Sequence, residues 1–504
     1  MFLLFSSFQI LAQDKKPRKI HIIRSDSYEF DEKIDPDLRM LIGNVILRHD
    51  SVYMHCDSAY FFTEENSFIA YSRVKVVQGD SIYLYGDTLF YQGNFSEGKV
   101  RGNVKLIDKK MELTTQFLDF NMETNISHYF NGGTIVDSAN VLTSETGYYY
   151  SEVEEYYFEE QVYIETPDYT MLSDTLTYTT ESGETRFRGP TLIEGDSSMV
   201  YSEHGYYNTN MEFMKLGWNS YIVRNENTIE ADSIFFNQIT DRGNAWRNVV
   251  MTDTLQQIIL KGEYAYLNKR DEFSFVTDSA IFMQYEGKDT LFLHADTLFS
   301  LRDSTGEFRV LKAYYKAKFF REEMQGMCDS LIYTTADSLI KLYNDPILWS
   351  DENQLTADFI KIHFNGNEAD KIYMENTAFI ISKETNIYFN QIFGKHMEGF
   401  INRNRLYKIY VKGNAQTIYY PIDGTEYIGE NKAESSNMTI YLEDGKVKRI
   451  NFLNAPEGVL NPMDRIEKDK SYLKGFGWHD EDRPLGKLDI YKRHKAKSEE
   501  TEEL

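Results

Sequence analysis

A chain of 504 residues with a formal net charge of −25 argues against nucleic acid and against direct adsorption to anionic membranes. Its 37 Tyr and 33 Phe against 9 Pro give a β-rich profile, because aromatic side chains fill pleated surfaces. With two cysteines there is no disulfide framework.

Residues 1–12 (MFLLFSSFQILA) are apolar and end on a small residue. They predict the core and cleavage site of a secretory signal peptide that lacks its basic start. An apolar N-terminal strand is the alternative. No other apolar run is long enough to predict a membrane-spanning helix.

From 19 to 455 one pattern recurs, clearest in Ile82-Tyr83-Leu84-Tyr85-Gly86-Asp87-Thr88-Leu89-Phe90-Tyr91. Apolar or small residues alternate up to Gly86, slip by one residue, and resume at Leu89 and Tyr91. Alternation is a strand signal, and a slip would turn the rest of the strand over. A bulge at the Asp87-Thr88 step is therefore predicted, bending the strand while one face stays inward. Copies centre on Asp26, Asp57, Asp87, Gln116, Glu145, Asp174, Glu203, Asp232, Glu263, Asp296, Asp329, Asp358, Lys395 and Glu434. Those at Glu145, Glu203, Lys395 and Glu434 are degenerate, and Asp278-Ser279 is an ambiguous extra match. About 14 repeats of roughly 29–39 residues predict stacked units, none able to bury its own face.

Between these strands lies a second element, Gly43-Asn44-Val45, Gly102-Asn103-Val104, Asn248-Val249-Val250 and Gly413-Asn414-Ala415. Gly-Asn signals a kink. Two long bent strands per unit suit an antiparallel meander. After Pro456 the repeats stop. A short helix is predicted at Pro462–Glu467, residues 456–486 are expected to cap the C-terminal sheet edge, and 487–504 read as a charged, disordered tail. No linker interrupts 19–455, which reads as one continuous array.

Chemistry is sparse. The repeating Asp is read as a structural turn residue, because a catalytic pair forms one special site and not a ladder. His49, His55, His128, His204 and His363 are scattered, and no zinc, phosphate-loop or nucleophile-elbow motif appears. No enzyme, metal or cofactor is expected. Cys56 and Cys328 each precede a repeat Asp and read as small buried residues. What remains is the inward stripe: Met54, Ile82, Leu84, Leu89, Tyr91, Met111, Leu113, Leu118, Phe120, Met171, Leu176, Tyr178, Ile229, Ile234, Phe236, Leu260, Leu291, Leu293, Leu298, Leu331, Tyr333, Leu355 and Ile360. It is either a closed dry core or a groove for an apolar ligand. Cys56, Gly86, Ala231, Gly262, Ala295, Cys328 and Ala357 beside the bend leave room for the second.

The paired motifs, Gly-Asn-Val-x-Leu followed by Leu-x-Ala/Gly-Asp-Ser/Thr-Leu-x-Tyr, resemble the repeat of the OstA-like family over roughly 20–455. These are periplasmic lipopolysaccharide-transport bridge proteins, and the long Tyr- and Asp-rich form resembles the Bacteroidetes-type version. The resemblance implies an all-β, elongated, V-shaped β-jellyroll, an open antiparallel sheet folded over on itself. It further implies a periplasmic protein that carries acyl chains of lipopolysaccharide or a related glycolipid toward the outer membrane. The stripe would then bind lipid. The N-terminal edge, with Ile20, Ile22, Ile23 and Tyr28, would pair with another jellyroll-bearing envelope protein. Two other readings stand beside it. A structural or adhesive cell-surface β-solenoid would have a dry core, and a β-helical polysaccharide lyase or hydrolase would have parallel strands.

Overall fold

The computed structural model describes residues 19–492 apart from 32, 34, 109–110, 138, 180, 209, 287–288, 366–367, 403–404, 444–445 and 468–470. The expected signal peptide and residues 493–504 of the expected tail lie outside it. Two compact units form, one up to Trp218 and one from Asn219 onward.

In the first unit, strands of 11 or 12 residues follow one another as hairpins: Leu38–His49, Val52–Phe62, Ser67–Gln78, Ile82–Gln92, Glu97–Asp108 and Met111–Asn121. Each pairs antiparallel with its sequence neighbours. The next two strands are broken at mid-length into Ile126–Tyr129 with Gly133–Asp137, and Asn140–Ser144 with Thr146–Tyr150. Full-length strands resume at Glu155–Glu165 and Tyr169–Thr179. In the second unit the meander runs from Asn227–Asn237 to Glu430–Glu443, still antiparallel. The all-β antiparallel architecture expected from the repeat is present, and the parallel ladder of a β-helix is not.

The pairing slips at the predicted step, between Tyr85 and Thr88, but the extra residue is on the partner strand. Tyr85 pairs with Lys105 and Thr88 with Arg101, so Gly86 and Asp87 oppose the longer run Gly102, Asn103 and Val104. The extra residue belongs to the Gly-Asn strand and not to the Asp87-Thr88 step. Gly102 and Asn103 both take left-handed backbone, with φ of 76° and 45°. So do Ser72-Arg73, Glu160-Gln161, Arg247-Asn248, Asn344-Asp345 and Asn376-Thr377. Asp278-Ser279, the ambiguous match, is another such corner, with φ of 60° and 62°.

Asp87 explains why the corner is stable. Its carboxylate accepts a hydrogen bond from Asn103 Nδ2 at 2.8 Å, while the Asn103 amide donates to Gln116 Oε1 at 3.3 Å. Asn248 likewise bonds Asp232 at 3.1 Å through its side chain and Glu263 at 3.4 Å through its amide. At these two bends the Asn thus ties its own strand to the repeat residues of both neighbouring strands. At Asp57 the partner is Arg73, whose guanidinium hydrogen-bonds the carboxylate at 2.6 Å and holds it below the usual carboxylate range.

Beyond Glu457–Asn461, which pairs with residues 430–434, the chain turns back along the second unit. Only a single 3-10 turn, Met463–Arg465, stands where a helix was predicted. Instead of capping the terminal edge, residues 471–492 form a strap over the outer face of strands laid down much earlier. The Gln391 side chain, fully buried, donates to Ser471 O at 2.9 Å and accepts from Leu473 N at 2.8 Å. Gln354, also fully buried, treats Gly477 O and His479 N the same way, both at 2.7 Å. Leu473, Phe476 and Trp478 pack on Phe379, Ile381 and Phe389. Arg483 reaches Gln325 Oε1 at 2.9 Å, and Lys318 Nζ donates to Lys492 O at 2.8 Å. Residues 487–492, expected in the disordered tail, are therefore seated, with Ile490 buried and Tyr491 against His294.

Candidate functional site

The bend keeps the residues at positions −3, −1, +2 and +4 from each Asp on one face, so they line a common interior. Of the stripe, Met54, Leu84, Leu89, Tyr91, Met111, Leu113, Leu118, Met171, Leu176, Ile234, Leu293, Leu298, Leu331, Leu355 and Ile360 are buried. Ile82, Phe120, Tyr178, Ile229, Phe236, Leu260, Leu291 and Tyr333 are half-buried, and they sit toward the strand ends. In the first unit the buried members join one core from Ile20 to Leu176.

Packing within that stripe is uneven. In the second unit the gap among Leu260, Phe282, Leu293 and Leu331 is about 20 Å³, space for a single water. In the first unit, over the broken strands, the interior opens into a cavity of about 440 Å³. Met111, Ile135, Leu142, Phe158, Ile164 and Leu176 make its apolar wall, and Asp108, Asp137, Asn140, Glu154, Tyr149, Tyr156, Tyr169 and Tyr178 its polar part. Only Met111, Leu176 and Tyr178 were singled out from the sequence. The carboxylates and tyrosines were missed, and the degenerate repeat at Glu145 was the signal that this region differs.

Among the described residues, the charged side chains lining the cavity are all acidic. Tyr149 stacks on Tyr156 with ring centroids 4.4 Å apart and donates to Asp108 Oδ2 at 3.3 Å. Burial first, then the Asp108 carboxylate, raises the Tyr149 hydroxyl above its ordinary value, and burial followed by Asp137 does so for Tyr178. Elsewhere, burial pushes the Cys56 and Cys328 thiols up to about 12, and neither is in a disulfide. Among the described residues no group of His, Cys, Asp or Glu is placed to hold a metal ion, and no helix is long and apolar enough to cross a membrane.

The expected partner edge divides. Strands His21–Arg24 and Ser27–Glu29 pair on one side with Leu38–His49, and Ile22, Ile23 and Tyr28 are exposed. Ile20 is not part of that surface. It is buried in the core, and its amide donates to Asn66 Oδ1 at 2.9 Å.

Together these features define a repeat-built antiparallel β protein with an apolar interior in each unit and, in the first, a cavity of about 440 Å³. Residues 17–174 match the family model described as OstA-like protein, so the resemblance carried by the Gly-Asn-Val and Asp-Ser/Thr motifs is shown over that stretch. Among solved structures, the chain is similar to LptH of Pseudomonas aeruginosa. That structure is described as the LptA-homologous periplasmic component of a lipopolysaccharide transport device. The match has 12% identity and a TM-score of 0.23, covering 28% of this chain and 96% of that one. No curated protein matches this sequence.

Proposed function

We propose that the chain is a periplasmic lipid-transport protein whose first unit holds the acyl chains of lipopolysaccharide or a related glycolipid on their way to the outer membrane. The observation that carries this is the cavity of about 440 Å³ opening from an apolar core, most of it inside the stretch that matches the OstA-like family model. The apolar wall of such a cavity is costly to leave in water unless something apolar covers it. Lipid binding by the buried stripe in this unit follows from the same geometry, and no catalytic step is required of any residue.

Native mass spectrometry of protein purified from its own envelope, joined to photocrosslinking from Phe158, tests the proposal. Lipid-sized adducts from Phe158 and none from Leu172, which is exposed on the other face of its strand, are the expected result. Protein that carries no lipid mass and forms no adduct would favour a structural role. That second reading suits the surroundings of Leu260, Phe282, Leu293 and Leu331 in the second unit, where the gap is about 20 Å³.

A further inference from the structure

The polar part of the first unit's cavity contains a group whose hydrogen bonding is incomplete. Asp108 is 9% exposed; its Oδ2 accepts the long bond from Tyr149, and its Oδ1 is buried without any hydrogen-bond partner. A buried acceptor left unsatisfied is costly, and a carboxylate oxygen more so. Asp137 and Glu154 line the same cavity, and among the described residues no Lys or Arg does. Alongside lies the stacked pair Tyr149 and Tyr156, whose ring faces attract a cation. The apolar wall is continuous with this corner, so an occupant meets both at once.

We infer that this cavity is a binding site for an amphipathic lipid bearing a cationic, hydrogen-bond-donating headgroup, with an amine seated against Asp108 and the acyl chain along Met111, Phe158 and Leu176. The inference rests on the proposed lipid-carrying role and sharpens it. An ammonium supplies donors to the unpartnered Oδ1, lies against the tyrosine rings and offsets the surrounding carboxylates. A bare phosphate headgroup supplies none of these and is repelled by all three carboxylates. A divalent metal is the poorer alternative, because no cluster among the described residues is placed to ligate one.

The test uses the full chain stripped of lipid and three probes: dodecylammonium, dodecyl phosphate and ethylammonium, each titrated calorimetrically. Dodecylammonium should bind on the order of tenfold or more tighter than dodecyl phosphate, the difference expected for one buried charge-assisted bond gained against one charge repelled. Asp108→Asn should erase most of that preference while leaving dodecyl phosphate binding unchanged or stronger. Tyr149→Phe, which keeps the ring and removes the competing donor, should retain it. Equal binding of the two long-chain probes, insensitive to Asp108→Asn, would overturn the headgroup assignment and leave the lipid-carrying role intact. Failure of both long-chain probes would overturn both. Ethylammonium binding as tightly as dodecylammonium would show an amine site without a lipid, and would also overturn the inference.

Discussion

At the scale of single residues, the corner rests on a glycine and a carboxylate in contact. A Cβ added at Gly102 would stand 2.4 Å from Asp87 Oδ2, on a backbone with φ of +76°. Gly102→Ala should therefore lower stability by about 1–2 kcal/mol, from strain and from displacing the Asp87–Asn103 bond. Asp87→Ala, which loses that bond without strain, should cost less. Thermal unfolding of the two variants checks the order. The thiols give a second test. Burial holds Cys56 and Cys328 protonated up to about 12 when folded, against 9.0 for a free thiol. Between those values the unfolded chain binds fewer protons, so stability must fall as pH rises from about 9 toward 12. Cys56→Ala with Cys328→Ala should flatten the slope. That these two are small buried residues was legible from their place before the repeat Asp. The true position of the extra corner residue was not, because Ser72-Arg73 and Glu160-Gln161 adopt left-handed backbone without the Gly-Asn signal that marks such a kink.

At the scale of elements, alternation identified the strands and their inward face. It could not identify the strap. Gln354 and Gln391 stand at outward positions, where an amide reads as an ordinary solvated side chain. They are buried because residues 80 or more positions further on lie over them. No local periodicity reports a contact of that range. Gln391→Leu would strand the Leu473 amide and the Ser471 carbonyl, at a cost of about 1–3 kcal/mol. Trypsin should then cut at Lys474 faster than in the parent protein, with strands such as Glu368–Lys383 remaining resistant. Equal cleavage rates would mean that the aromatic contacts of Phe476 and Trp478 hold the strap unaided. The cavity was half legible for a similar reason. The apolar members follow the repeat, whereas Asp108 and Tyr149 come from the strand ends and from a broken strand.

At the scale of the whole molecule, the family resemblance was readable because many weak copies agree, and it fixed the all-β antiparallel character. The sheet edges show what such a pattern leaves open. We expect crosslinkers placed at Ile22 or Ile23, both exposed, to capture a jellyroll-bearing envelope protein by edge pairing, and one at buried Ile20 to capture none. Capture from all three positions alike, or from none, would remove the case for this edge.

The recurring left-handed corner has a consequence for how such a chain changes length. Strands of 11 or 12 residues in the first unit give way to strands of 16, 14 and 15 at Glu368–Lys383, Phe389–Asn402 and Arg405–Tyr419. Their corners keep the same left-handed residues, Asn376-Thr377 and Asn414. The added length lies on both sides of the corner, toward the hairpin ends, and where the partners differ the surplus is taken up there, as at Tyr407 between the pairs Phe400–Lys408 and Ile401–Leu406. A single residue inserted beside the bend would instead reverse the facing of half a strand. The bend is thus the fixed origin from which each wall is measured, and an insertion there and an insertion at a hairpin tip are different events for the same added mass.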